Sequence, residues 1–450
     1  MTMLILLTAV VVGVLAAVWI IGWTPSIILV ALIALAVFPR DVGSLQLGGV
    51  QASLPNLAML LIAFVAVLAL RKQTFPVRFL PLLAVVALVL WAQVWSGTPA
   101  QWAGLTNLAL VVAAWFAGTY LASLNRGDPN IERWLAVSIF LIIGFEAAVT
   151  ILQTAGVNLF PTYDRTSELT AGRANGSLGH PGSLGKALLF LNLIALPLTR
   201  SADKVTKRLA GATVVVTLIP IGLSASRANF AAMLVLVVLW ALLLPRQKKI
   251  GARVALPAMA LIVALMFSDT IAARFQEDPE GGAREHLMDV ALAHVGENFW
   301  FGVGPNTYIE YFGQFDQLTS QGWRVHNVFA LQLAEIGLVG AALLFVPLFL
   351  PYLTAVRRLR LTDSRGMYAR ALLVSAPVVL IMGTTGWGLA SGAMFYLWFF
   401  TIGYLVRRMT TKDDEVWTPD PASTIADVRR SRTGVRRVDH PGAVRRPALR

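Results

Sequence analysis

Apolar runs recur along almost the whole chain, with bounds loose by several residues and lengths at or near the roughly twenty residues that carry a helix across a hydrocarbon layer about 30 Å thick. They fall near 3–21, 24–38, 53–70, 79–95, 104–124, 134–156, 181–199, 209–223, 229–244, 254–268, 327–354, 369–385 and 389–406. With 57% hydrophobic and only 14% charged residues, no soluble core accounts for the pattern. The expected architecture is all-α, a polytopic transmembrane bundle of about 12–13 spans. The count stays open because Gly22-Trp23-Thr24-Pro25 joins the first two runs either as separate spans or as a short re-entrant pair. Residues 1–406 form the transmembrane domain, 269–326 a large loop region within it, and 407–450 a basic tail rich in Arg, Pro and Asp that reads as disordered.

Lys and Arg in short loops mark the cytoplasmic side, and here the basic loops alternate along the chain. They lie at 71–78, 126–133, 200–208, 246–253 and 357–370 and in the tail, leaving only Arg40, Arg165, Arg173, Lys186, Arg227, Arg274, Arg284 and Arg324 elsewhere. The net charge of +13 is therefore mainly a topology signal and not a nucleic-acid footprint. It sets the C-terminus in the cytoplasm and the 269–326 stretch outside. Nine acidic residues in that stretch face three arginines, so a cation kept there needs a reason other than topology. Exposed ion pairs account for Arg274 and Arg324 as well as a ligand does. The absence of cysteine rules out disulfides on that oxidising side. Residues 1–21 lack a basic start and a small-residue cleavage site, and read as an uncleaved span.

Three polar patches converge on the outer face. The first runs from Arg173 through Asn175, Gly179 and His180-Pro181-Gly182 to Lys186, a glycine-rich loop entering a helix at Pro181. Glycines allow close backbone approach, Pro suits a first helical position, and free amides at a helix start favour an anion. The second is the tight turn Ser224-Ala225-Ser226-Arg227, whose Arg either snorkels to headgroups or binds a ligand. The third is the long loop, with Arg284, the turn Gly302-Val303-Gly304-Pro305, Trp323, Arg324 and His326-Asn327. Glu146, Lys186 and Glu335 sit inside apolar runs, where an ionisable group is costly unless paired or functional. Pairing of Lys186 with Glu335 is the preferred reading, with contact of Lys186 to a donor phosphate as the alternative.

This ordered set resembles the O-antigen ligases and the related O-antigen polymerases of bacterial envelopes. The likeness is carried by Arg173 with His180-Pro181, by Ser226-Arg227-Ala228, by Arg284 followed by Gly302-Val303-Gly304, and by His326-Asn327, Leu331, Glu335 and Gly337. It covers roughly 165–345, and Gly182 departs from it where the family often has Asn after His-Pro. The resemblance implies a glycosyltransferase at the outer side of the inner membrane. Such an enzyme moves a glycan from an undecaprenyl-type polyprenyl diphosphate to an acceptor hydroxyl, inverting the anomeric centre without metal. Arg173, Arg227 and Arg284 are then expected to hold the diphosphate, with Lys186 and His180 as further contacts, because planar guanidinium donors suit a leaving phosphate. His326 is the expected base, with Arg284 as its catalytic companion.

The partners so implied are the lipid-linked donor, membrane lipids and an acceptor that is glycan, lipid or protein. No cofactor is expected. Nor is a metal site, since His286 and His294 lie eight apart without a His-Glu-x-x-His pattern. Ligase and polymerase stay open, because both use one donor and differ in acceptor. A transporter or flippase for lipid-linked glycan is the reading from another class, weakened by the lack of internal repeats and the one-sided polar chemistry.

Overall fold

The computed structural model describes residues 18, 20–37, 45–47, 50–70, 84, 86–89, 97–124, 129–160, 173–245, 251–277, 282–390 and 392–411. The expected runs near 3–21 and 79–95 fall mainly outside these residues, as does most of the basic tail. The other expected runs each coincide with a helix. They are α1 (Trp23–Val37), α2 (Leu54–Leu70), α3 (Pro99–Leu124), α4 (Pro129–Thr154), α5 (Pro181–Leu198), α6 (Lys204–Leu223), α7 (Arg227–Leu243) and α8 (Gly251–Met266). After the long loop come α13 (Val328–Arg358), α14 (Ser364–Thr384) and α15 (Gly392–Thr410). Among the described residues, six helices are both long and apolar enough to cross a membrane, namely α3, α4 from Asn130, α5, α6, α13 and α14. Helices α1, α7 and the Val254–Met266 part of α8 are shorter apolar ones. The protein is an all-α polytopic membrane protein. A hairpin of two three-residue strands, Leu45–Leu47 and Val50–Ala52, is the small addition.

The long loop is itself helical. It carries α9 (Ser268–Glu277), α10 (Arg284–His294), α11 (Tyr308–Phe312) and α12 (Gln317–Ser320). Val325 is buried with Tyr308, Phe312, Leu331 and Ala334 in a small apolar cluster that fastens the end of this segment to the start of α13.

Small residues let the central helices touch backbone to backbone. Gly118 of α3 lies directly beneath the Phe400 carbonyl of α15, and Gly403 of α15 beneath that of Trp115. Close approach of this kind adds dispersion contacts, which matter most where lipid removes the hydrophobic drive between helices. Any side chain at either glycine would push the two helices apart.

Helix α13 is not continuous. Gly337 has φ 68° and ψ 179°, a conformation that in practice only glycine adopts, and it splits the helix. A break leaves amides and carbonyls without their intrahelical partners, and the preceding loop satisfies them. Val303 and Gly304 donate to the carbonyls of Ala334 and Glu335 at 3.0 and 2.8 Å, while Leu338 and Val339 donate to those of Phe299 and Trp300 at 2.8 and 3.1 Å. A Cβ on Gly302 would stand 2.5 Å from the Glu335 backbone. The Gly302-Val303-Gly304 turn is thus the strap that fills a broken helix, and its glycines permit the approach.

Candidate functional site

All the candidate residues lie at one end of the bundle, where α5, α7 and α13 begin and α6, α8 and α14 end. Helix α4 builds the floor of the first patch. Gln153 accepts from the amides of Asn175 and Gly176 at 3.0 and 2.9 Å and donates to the Asn175 side chain at 2.6 Å. Two turns deeper, Glu146 accepts from the Ser177 amide at 3.0 Å and from its hydroxyl. The buried Glu146 is therefore a structural anchor of the 173–180 loop. From this loop Arg173 Nε donates to the Ser224 carbonyl at 3.1 Å, and Asn229 donates to the Gly182 carbonyl at 3.1 Å. These bonds join the first patch to the second.

One expectation fails here. The start of α5 offers no free amides in its first residues, because Pro181 has no N–H, Gly182 donates to His180 Nδ1 at 3.0 Å, and Ser183 donates to the His180 carbonyl at 3.0 Å. His180 caps its own helix, so anion affinity in this patch must come from side chains. With Nδ1 accepting, neutral His180 carries its proton on Nε2 and is a donor there.

His326 precedes Asn327, whose side chain caps α13 by accepting from Phe329 and Ala330 at 2.9 and 3.2 Å. The imidazole stacks near Trp323, ring centroids 6.2 Å apart, and its buried Nδ1 has no hydrogen-bond partner among the described residues. Burial, then the positive charge of Arg284, push its pKa down to about 4; a hydrogen bond with the Arg324 backbone opposes them, and Lys186 adds a smaller lowering. Burial also brings His180 down to about 4, helped by Lys186, Arg173 and His326. Both rings are neutral at pH 7, and their mutual influence brings Arg173, His180, Lys186, Arg284 and His326 into one electrostatic cluster.

Arg284 stands at the first residue of α10, against the helix dipole, so its place does not serve helix stability. Arg227 also opens a helix, α7, with its guanidinium 4.7 Å over the Phe275 ring. The positive charges that act on the two histidines are those of Arg173, Lys186 and Arg284.

The preferred Lys186–Glu335 pair does not form. Glu335 sits 3.9 Å from Arg324, which also donates to the Asn306 side chain at 3.0 Å. The carboxylate faces the end of the long loop instead of α5, and the backbone of Asn306 and Tyr308 meets it there together with Arg324. Lys186 is left with one hydrogen bond among the described residues, to the Gly182 carbonyl at 3.4 Å. Sequence reasoning also missed Gly386 and Gly388, at the α14–α15 junction, which come up beside the Lys186 ammonium. Two glycines spaced by one residue at the end of an apolar run were the available signal. His286 pairs with Asp316 at 2.6 Å and His294 stacks on Phe315, and no group of three or more metal-ligating side chains occurs among the described residues.

Fold and site together define a polytopic membrane protein with a cationic, histidine-bearing cluster at one end of its bundle. The family model described as O-antigen ligase matches residues 212–345, which supports assigning the chain to that family and to membrane glycan chemistry of the ligase and polymerase type. The matched stretch includes Arg227, Arg284 and His326; Arg173, His180 and Lys186 precede it. No curated protein matches the chain.

Proposed function

We propose that the chain is an inverting, metal-independent glycosyltransferase that moves a glycan from a polyprenyl diphosphate carrier to an acceptor hydroxyl at the outer membrane face. The observation that carries the reading is the pairing of a neutral His326, its buried Nδ1 without a hydrogen-bond partner among the described residues, with the cations Arg284 and Lys186 close enough to lower its pKa. Positive charge beside an unprotonated base suits a reaction that releases an anion while it takes up a proton. The acceptor oxygen bonds to the anomeric carbon as the bond from that carbon to the phosphate oxygen breaks. His326 takes the hydroxyl proton, and the electron pair leaves with the diphosphate, held by Arg284, Lys186 and Arg173. His180, a donor at Nε2, and Arg227 complete the anion contacts.

A base with a pKa near 4 is weak, first because it is buried, and the donor relieves the part that comes from neighbouring charge. A bound diphosphate offsets the field of Arg284 and Lys186, so the imidazole becomes more basic when substrate is present. The outer-face assignment rests on the basic residues. Arg133, Arg200, Lys204, Arg357, Arg365 and Arg408 all lie at the opposite end of the bundle from His326, as loops on the cytoplasmic side would.

The test is transfer by purified protein in detergent, with a polyprenyl-diphosphate-linked glycan and candidate acceptors. Joined glycan and free polyprenyl diphosphate are the expected products. A protein that joins nothing in detergent yet moves lipid-linked glycan between leaflets of a vesicle is a flippase, and the transferase reading then falls. Long-chain carrier accumulating in a deletion strain marks a ligase; single repeat units mark a polymerase.

A further inference from the structure

We propose that Gly182, Gly386 and Gly388 form a side-chain-free cradle in which one phosphate group of the donor seats against the Lys186 ammonium. The inference rests on the reading that the donor carries a diphosphate, and it adds the α14–α15 junction to the binding site. A Cβ built on Gly386 or Gly388 would meet a single atom within 4 Å, Lys186 Nζ, at 3.7 and 3.6 Å. A Cβ on Gly182 would lie 3.6 Å from the same Nζ, against the His180 ring. Backbone from two distant parts of the sequence thus surrounds one charged nitrogen and presents no side chain to it.

The ammonium has three N–H donors, and Lys186 is only 8% exposed. Its one hydrogen bond among the described residues is the 3.4 Å contact with Gly182. A buried charge so poorly satisfied is costly, and an acceptor-rich anion removes the cost. Phosphate oxygens bond an ammonium at about 2.7–2.9 Å, inside the shell where the missing methyl groups would stand. Two neutral histidines and the nearby Arg284 provide further donors and charge for the remaining oxygens.

Neither Gly386 nor Gly388 has a left-handed φ, and 3.6–3.7 Å is ordinary van der Waals contact. Alanine there fills the cradle without straining the fold, which makes a clean test. With full-length protein in detergent, inorganic pyrophosphate should raise the melting temperature of the wild type. Gly386→Ala and Gly388→Ala should melt like the wild type without ligand and bind pyrophosphate at least about tenfold more weakly, since the methyl group displaces a charge-assisted bond. Lys186→Met should lose the response. Wild-type pyrophosphate affinity in both alanine variants, or no response in the wild type, overturns the cradle.

A measurement that needs no variant is reductive methylation of Lys186 followed by peptide mass spectrometry. Pyrophosphate should slow it several-fold. Equal modification with and without pyrophosphate, or a Lys186 inert in both, also counts against the cradle. Pyrophosphate binding that depends on the glycines, in a protein that transfers no glycan, removes the transferase reading and keeps the cradle. Glycan transfer undiminished in both alanine variants removes the cradle alone.

Discussion

The two ends of the bundle use the same kinds of charged residue in opposite ways. At the end away from His326, cations are spent on holding helices together. Arg370 donates to the carbonyls of Leu243, Leu361 and Leu359 at 2.7, 2.9 and 2.6 Å, tying the ends of α7 and α13 to α14. Arg408 of α15 meets Glu132 of α4 at 3.2 Å and lies over the Tyr368 ring, while Ser201 donates to the same carboxylate at 2.9 Å. At the other end Lys186 has a single long bond and His326 Nδ1 has none. Unbonded buried atoms occur at the far end too, at Arg408 Nε and Nη1, but Arg408 is paired with Glu132, whereas Lys186 has no carboxylate partner among the described residues, and a buried cation so placed suits an anionic ligand. The difference lies in whether the buried cation has a counter-charge beside it.

This contrast can be broken by mutation. The largest effect is expected for His326→Ala, which should lower kcat by about 10²–10⁴, the usual worth of a positioned base, with the melting temperature preserved. Full activity in that variant removes His326 from the mechanism. At the far end the reverse is expected. Glu132→Gln or Arg408→Met leaves half of a buried pair and should cost roughly 3–5 kcal/mol of stability, read by chemical or thermal unfolding, with kcat per folded molecule unchanged. A far-end variant that is fully stable but inactive would dissolve the division of labour.

Gly337→Ala tests the strap between them. A non-glycine residue at φ 68°, ψ 179° costs about 1–3 kcal/mol before the collision with Trp300 and Phe301 is counted, so melting should fall and activity with it.

The pH dependence sharpens the comparison further. His180 and His326 have folded pKa values near 4, below the ordinary imidazole value, so between about 6.5 and 4 the unfolded chain binds protons that the folded chain does not. Stability should therefore fall as pH drops through that window, and a His180→Asn, His326→Asn double variant should flatten the decline. Because bound diphosphate raises the basicity of His326, the acid limb of kcat should lie at higher pH than that of kcat/KM. Coincident limbs would mean the donor does not offset the field of Arg284 and Lys186. The smallest effect belongs to Arg133→Ala, whose partner Asp203 is met at 2.9 Å in an exposed pair; under about 1 kcal/mol is expected.

The polar landmarks of the site were legible in the chain. Arg173, His180, Lys186, Arg284 and His326 stood out because an apolar protein keeps charge and imidazole near the ends of its runs only for cause, and the fold brings them into one cluster. Their partners were not legible. Glu335 turned to Arg324, the α5 amides were taken by His180, and Gly386 and Gly388 arrived beside Lys186 from two hundred residues away.

The sequence by itself determined the material of the protein: apolar segments whose backbone must close its own hydrogen bonds in lipid, hence helices, with basic loops sorted to one end. Only the tertiary structure decided which groups meet. A hydrogen bond or charge pair depends on ångström distances between segments remote in sequence, and those distances gave the Glu335 carboxylate to Arg324 in the long loop instead of to Lys186 of α5.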